Sequence, residues 1–148
     1  MNKIITIFAI IFTFNVYADK VEDAIDYRQS VFKLFKANMG HMGAMIKGKV
    51  EYNEKNFNYH AKQLKELNDM PWMYFIANSD MNSKAKSDIW EDSSGFKKAA
   101  NSFKKATNNL DKLAKAKNSD NDAVKKAFVR VGKSCKSCHK KYKEKKNN

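Results

Sequence analysis

The stretch of this 148-residue chain whose residue types and spacing can do chemistry is Cys135-Lys136-Ser137-Cys138-His139. It is a C-x-x-C-H sequence, the spacing that attaches a c-type haem. Two thiols three positions apart can each form a thioether to a vinyl group of one porphyrin. The histidine beside the second thiol is then held under the iron as an axial ligand. Other chemistries fit less well. A thioredoxin-like redox pair opens a helix that follows a strand, whereas this pair sits near the end of a helical pattern with no strand signal before it. A structural zinc ion wants four ligands, but the chain has two cysteines, and His41 and His60 are far off in sequence. A disulfide between residues three apart leaves the adjacent histidine unexplained. The motif therefore predicts one covalent haem c, attached through Cys135 and Cys138, with His139 as the iron ligand.

The elements that must position this motif are helices. The chain has five glycines and one proline, its apolar residues recur at helical spacing, and strand-like alternation, internal repeats and low-complexity linkers are absent. A first helix is predicted over 20–47, where Val21, Ile25, Arg28, Phe32, Phe35, Met39, Met42 and Ile46 form one seam in alternating steps of four and three. Arg28 is the odd member, since a guanidinium on an apolar seam costs free energy unless paired. It either snorkels to water near the helix start or meets a haem propionate. Met39 and Met42 read as seam residues and Met45 as their neighbour, and Gly48 suits a C-cap. A second helix runs from 53 to the break at Met70-Pro71-Trp72, with Phe57, Ala61, Leu64 and Leu67 or Asn68 as its buried stripe. His41 and His60 lie off the stripes and read as surface histidines.

Residues 76–88, rich in Asn, Ser, Asp and Lys, read as a long connection, of a length usually ordered by packing or function. Ile89 and Trp90 are expected to pin its end to the core. A third helix over 93–117, capped by Ser93 or Ser94, carries Phe96, Ala100, Phe103, Thr107, Leu110 and Ala114. After a turn at Asn118-Ser119-Asp120, a fourth helix over 121–145 carries Val124, Phe128, Val131, Cys135, Cys138 and Tyr142 on one face. Both cysteines then lie on the core side. The expected fold is all-α, an antiparallel four-helix bundle with a covalently bound haem in its core.

The N-terminus reads as a secretory signal. Lys3 precedes an apolar run over 4–14, and Val16-Tyr17-Ala18 ends in a small residue suited to cleavage. The run is short for a membrane span. Residues 1–18 are thus a predicted signal peptide and 19–148 the mature domain, exported to the periplasm with no membrane attachment after cleavage; the alternative reading is an uncleaved anchor. Both cysteines are taken up by haem attachment there, leaving no disulfide framework. The formal charge is +13, or +12 once Lys3 leaves. An exported chain whose lysines are spread over every helix, with no aromatic stacking motif among them, argues against nucleic acid and for solubility or an acidic partner.

With these residues in view, the mature chain resembles cytochrome c′, the class II c-type cytochromes. The resemblance rests on Tyr27-Arg28-Gln29-Ser30, Lys47-Gly48, Pro71-Trp72, Ile89-Trp90, and the run from Val131 through the C-x-x-C-H motif to Tyr142-Lys143. It implies covalent haem at Cys135 and Cys138, His139 as proximal ligand, and Arg28 and Gln29 near the propionates. It places Phe32 over the distal face of the iron, where low-spin, electron-carrying relatives have a ligating methionine. A phenyl ring cannot ligate, so high-spin, five-coordinate iron is expected. Many members carry arginine where Lys143 stands; lysine keeps the charge and loses the planar fork. The resemblance also implies a homodimer through the first two helices, to which Tyr52, Tyr59 or Phe57 contribute if exposed.

The expected function is binding of nitric oxide and carbon monoxide behind Phe32, with nitric oxide tolerance as the use the resemblance suggests. The alternative is electron transfer, with Lys133, Lys136, Lys140, Lys141, Lys143, Lys145 and Lys146 steering an acidic redox partner. An enzyme such as a peroxidase is not expected, because neither His41 nor His60 falls on the seam facing the iron to act as a distal acid–base group.

Overall fold

The computed structural model describes residues 2–116 and 121–145, with side chains from Asp19 onward. Its elements are α1 (Asn2–Ile46), α2 (Glu54–Leu67), a 3₁₀ turn (Trp72–Tyr74), the one-turn helix α3 (Asp88–Glu91), α4 (Ser93–Ala114) and α5 (Asn121–Tyr142). The all-α expectation holds, and α1, α2, α4 and α5 are the four bundle helices. α1 packs on α2, α2 on α4 and α4 on α5, each along its length; α1 and α5 approach each other far less closely. The Phe128 ring of α5 reaches α1, lying 3.3 Å from where a Cβ on Gly43 would stand. Among the described residues, no helix is long and apolar enough to cross a membrane.

Local chemistry explains the helix ends. Asn53 caps α2, its side chain accepting from the Asn56 amide at 2.9 Å. The predicted cap of the third helix moves from Ser93 or Ser94 to Asp92, whose carboxylate accepts from the Gly95 amide at 3.1 Å. Asp92 has the extra attraction of two donors from α5, which a serine would not hold as well. α4 and α5 stop at Ala114 and Tyr142, short of 117 and 145; Lys117 and the predicted turn at 118–120 lie outside the described residues. Gly48 has a φ of 64° and ends the α1 turn as expected.

The buried face of α1 is wider than the predicted seam: Ile25, Arg28, Phe35 and Met42 of the seam are buried, and so are Ala24, Val31, Asn38 and Met45 beside it. The remaining seam residues, Val21, Phe32, Met39 and Ile46, are half-buried. A stripe facing two neighbouring helices is wider than a two-position seam, and helical side chains lean toward the N-terminus. Phe57 is fully buried, so of the three aromatics considered for a dimer surface only Tyr52 and Tyr59 are exposed. Asn68, not Leu67, closes the α2 stripe, donating to Thr107 Oγ1 at 2.6 Å and to Asn108 Oδ1 at 3.0 Å.

Met42, Phe57, Leu64, Leu110 and Val131 have no exposed surface and form the apolar end of the bundle with Met45, Ala61, Ala114, Val124 and Ala127. Burying a side chain of this size stabilises by roughly 1.5–3 kcal/mol. This end locks the helices together and leaves the other to hold the C-x-x-C-H helix.

Candidate haem site

The two cysteines lie half-buried on the inward edge of α5, with Cys135 packed against the core. Burial raises both thiols; the Cys138 thiol is pushed up to about 11, by burial first and by Cys135 second. Both are therefore neutral thiols in apolar surroundings, which suits packing against vinyl groups better than binding a cation as thiolates. Among the described residues, no group of three or more His, Cys, Asp or Glu side chains is placed to hold a metal ion. His139 is on the exposed side of α5, yet neighbouring protein removes enough water, and Lys143 adds enough positive potential, to lower its pKa. Its imidazole is thereby kept neutral, the form that ligates iron.

Between α1 and α5 stands a wall of half-buried aromatic rings. Phe32 sits with ring centroids 5.5 Å from Phe35, 5.9 Å from Trp72 and 6.3 Å from Phe75. Phe75 packs on Phe96 at 4.8 Å, and Phe96 on Tyr142 of α5 at 5.3 Å. Both nearby indole donors are engaged: Trp72 Nε1 donates to Asn68 O at 2.6 Å and Trp90 Nε1 to Phe75 O at 3.2 Å. Phe32 thus contributes bulk and no donor.

Arg28 does not snorkel. It is 2 % exposed, lies over the Phe75 ring at 4.4 Å, and all its described acceptors are neutral. Nη1 donates to Tyr74 O at 3.1 Å and Ser79 Oγ at 2.6 Å, and Nη2 donates to Ser79 O and to Ser83 Oγ at 2.9 Å. Burial lowers its pKa and Asp80 raises it in part. A buried cation without a carboxylate in contact is costly, and among the described residues its hydrogen bonds run from Nη1 and Nη2, none from Nε. That donor fits an anionic group such as a propionate. Gln29 is exposed, and its side chain makes no hydrogen bond among the described residues.

Ser79, Ser83 and the Tyr74 carbonyl were not expected at the site. A signal for them exists in the tandem Ile76-Ala77-Asn78-Ser79 and Asp80-Met81-Asn82-Ser83. Each is a four-residue turn with asparagine third, at φ 62° and 57°, and serine fourth. Asparagine tolerates this left-handed conformation, and the repeat brings both serines to one guanidinium.

The last turn of α5 is held twice. Asp92 accepts from Tyr142 OH at 2.8 Å and from Lys141, which keeps its carboxyl at about 2. Gly95 permits this approach, since any side chain there would overlap Asp92 and Tyr142. On the other side, Lys143 bridges Ala85: Lys86 N donates to Tyr142 O at 3.2 Å and Glu144 N to Lys84 O at 2.9 Å.

His41 and His60 are elsewhere. They stack at 4.6 Å between α1 and α2, with His60 half-buried and its Nδ1 2.9 Å from Asn38 Oδ1. His60 is therefore no simple surface histidine. The pair lines a cavity of about 450 Å³ with Met45, Glu51, Asn53 and Asn56. His41 is about 14 Å beyond Phe32 along α1, at 1.5 Å per residue, and the parallel rings cannot aim two lone pairs at one ion.

A helical bundle with half-buried thiols at C-x-x-C-H spacing, an aromatic wall and a buried cation free to meet an anion defines a bundle cytochrome, and these residues fit a covalent haem. The family model of cytochrome c′ matches residues 23–143. The chain is 35 % identical to the cytochrome c′ of Alcaligenes xylosoxydans xylosoxydans over 128 residues, covering 86 % of this chain and 98 % of that protein. It is 37 % identical to that of Rubrivivax gelatinosus, covering 85 % and 98 %. The solved cytochrome c prime from Shewanella frigidimarina superposes with a TM-score of 0.81 at 38 % identity, over 84 % of this chain and 97 % of that one. A nitric oxide complex of a point mutant of cytochrome c prime from Alcaligenes xylosoxidans superposes at 0.78, with 34 % identity, over 85 % and 97 %. The chain belongs to the cytochrome c′ family and carries one covalently bound haem c.

Proposed function

We propose that the protein is a periplasmic haem protein that binds nitric oxide and carbon monoxide behind Phe32, in nitric oxide tolerance. The haem supplies an iron that takes neutral diatomic ligands. Cys135 and Cys138 would hold it by thioethers, His139 would ligate its iron, and the Arg28 Nε–H and Gln29 would serve its propionates. Lys143 keeps positive charge beside His139. Phe32 excludes water and leaves no internal sixth ligand. The observation that carries this reading is Phe32 packed among Phe35, Trp72 and Phe75, with both indole donors engaged. Dioxygen gains from a donor because its bound form carries developing negative charge; nitric oxide and carbon monoxide depend on one far less, so this setting selects for them. The related nitric oxide complex supports the ligand class. Export follows from a signal peptide at 1–18 cleaved after Ala18, and a homodimer would use the α1–α2 face, where Tyr52 and Tyr59 are exposed.

Absorption and EPR spectra of the purified ferric and ferrous protein test this. High-spin spectra and a ferrous complex on adding carbon monoxide are expected. Low-spin spectra indifferent to the gas would replace this reading with electron transfer.

One observation favours that second reading. Lys133, Lys136 and Lys140 are exposed on α5, and none has an acidic partner among the described residues. Such a face can steer an acidic redox protein. Electron exchange that slows steeply with ionic strength would support it; a flat dependence would not.

A further inference from the structure

The connection between the 3₁₀ turn and α3 is a strap with two fastenings. At one, the tandem turns present Ser79 Oγ, Ser79 O and Ser83 Oγ to Arg28, with Tyr74 O completing the set; Ser79 has no exposed surface. At the other, Lys84 and Lys86 pair with Tyr142 and Glu144 through two backbone hydrogen bonds. Ser83 Oγ joins the two, since it accepts from the Ala85 amide at 3.1 Å, beside the bridge. A rigid path thus runs from α1, through Arg28 and the strap, to the turn of α5 that begins at His139, whose carbonyl accepts from Lys143 N at 3.3 Å.

We infer that Arg28 is a positioning residue for His139: it fastens the strap, and the strap fixes the backbone turn from which the histidine projects. This rests on the reading of α5 as the haem helix. Arg28 has two tasks in this arrangement. Nη1 and Nη2 serve the strap, and Nε remains for an anion, so a group bound at Nε stiffens the guanidinium and with it the strap. Only a planar fork can serve both turns at once; a lysine ammonium has the charge without the reach. The role needs no contact between Arg28 and the iron, and it links the helix carrying Phe32 to the helix carrying His139.

The test is the haem-loaded Ser79→Ala/Ser83→Ala protein, which leaves Arg28 and any propionate contact in place. Two measurements are made: hydrogen exchange in the peptides containing Lys86 and Glu144, and the iron–histidine stretch of the ferrous protein by resonance Raman. Loss of hydrogen bonds to a charged group is expected to speed exchange at both bridge amides by about tenfold or more, with a shift of the stretch. Arg28→Lys should move both in the same direction, and Ser83→Ala alone serves if the double variant does not fold. Unchanged exchange overturns the inference. Faster exchange with an unmoved stretch overturns it too, because the strap is then only a brace. A wild-type protein without thioether-bound haem, read from the spectrum of the denatured chain, would instead overturn the haem reading itself.

Discussion

The two ends of the bundle are packed by different rules. At one end, Met42, Phe57, Leu64, Leu110 and Val131 leave no surface exposed. That end is complete in its own side chains. At the other, Phe32, Trp72, Phe75 and Phe96 are only half-buried, α1 and α5 stand apart, and Arg28 and Ser79 are buried polar groups. Rings that stop short of closing, around a cation in contact with no carboxylate, make a seat for a flat, largely apolar group with an anionic edge. The difference teaches which end serves stability and which serves the haem.

The comparison breaks most sharply at the motif. Cys135→Ala/Cys138→Ala should abolish covalent attachment, read as complete loss of haem absorbance from the denatured chain, while the apolar end keeps its helices by circular dichroism. Next, Leu110→Ala should destabilise by about 2–5 kcal/mol in denaturant titration and leave the ferrous spectrum unchanged. A spectral change there would mean the ends are not separable. Phe32→Met should do the reverse. It offers a sulfur where the ring stands, so the spectrum should turn low-spin and the carbon monoxide response fall, with a stability change under about 1.5 kcal/mol for a swap of similar volume.

The smallest effect concerns Asp92. Hydrogen bonds from Lys141, then Tyr142, then the Gly95 amide hold its carboxyl at about 2 against an ordinary 3.8. The folded value is the lower one, so its contribution is present above about pH 4 and is lost as pH falls toward 2. Asp92→Asn should lower stability at neutral pH, and the gap from wild type should close below about pH 2 in acid titration.

Much of this was legible before any coordinates. The cysteine spacing, the four amphipathic stretches and the break at Pro71 follow from covalent chemistry and helical period, which are local. The inward face of α5 follows likewise, with Val131 and Tyr142 buried and Cys135 and Cys138 half-buried between them. The seam of α1 is legible, since Ile25, Arg28, Phe35 and Met42 are buried, but its width is not: Val31, Asn38 and Met45 are buried too, and no one-helix pattern reveals how wide a stripe its neighbours will cover. Asn38 reads as polar and its burial is not expected, whereas Asn68 is one of two candidates for the last place in the α2 stripe; hydrogen bonds make both tolerable there.

By itself, the sequence determined the haem-attachment motif and the helices, because each depends on residue identity at short spacing. Only the tertiary structure decided what Arg28 does. Its acceptors lie 46 to 55 residues away in a polar connection with no helical or strand period. Burial of a guanidinium is settled by whether distant carbonyls and hydroxyls converge on it, and that convergence exists only once α1, the strap and α5 are brought together.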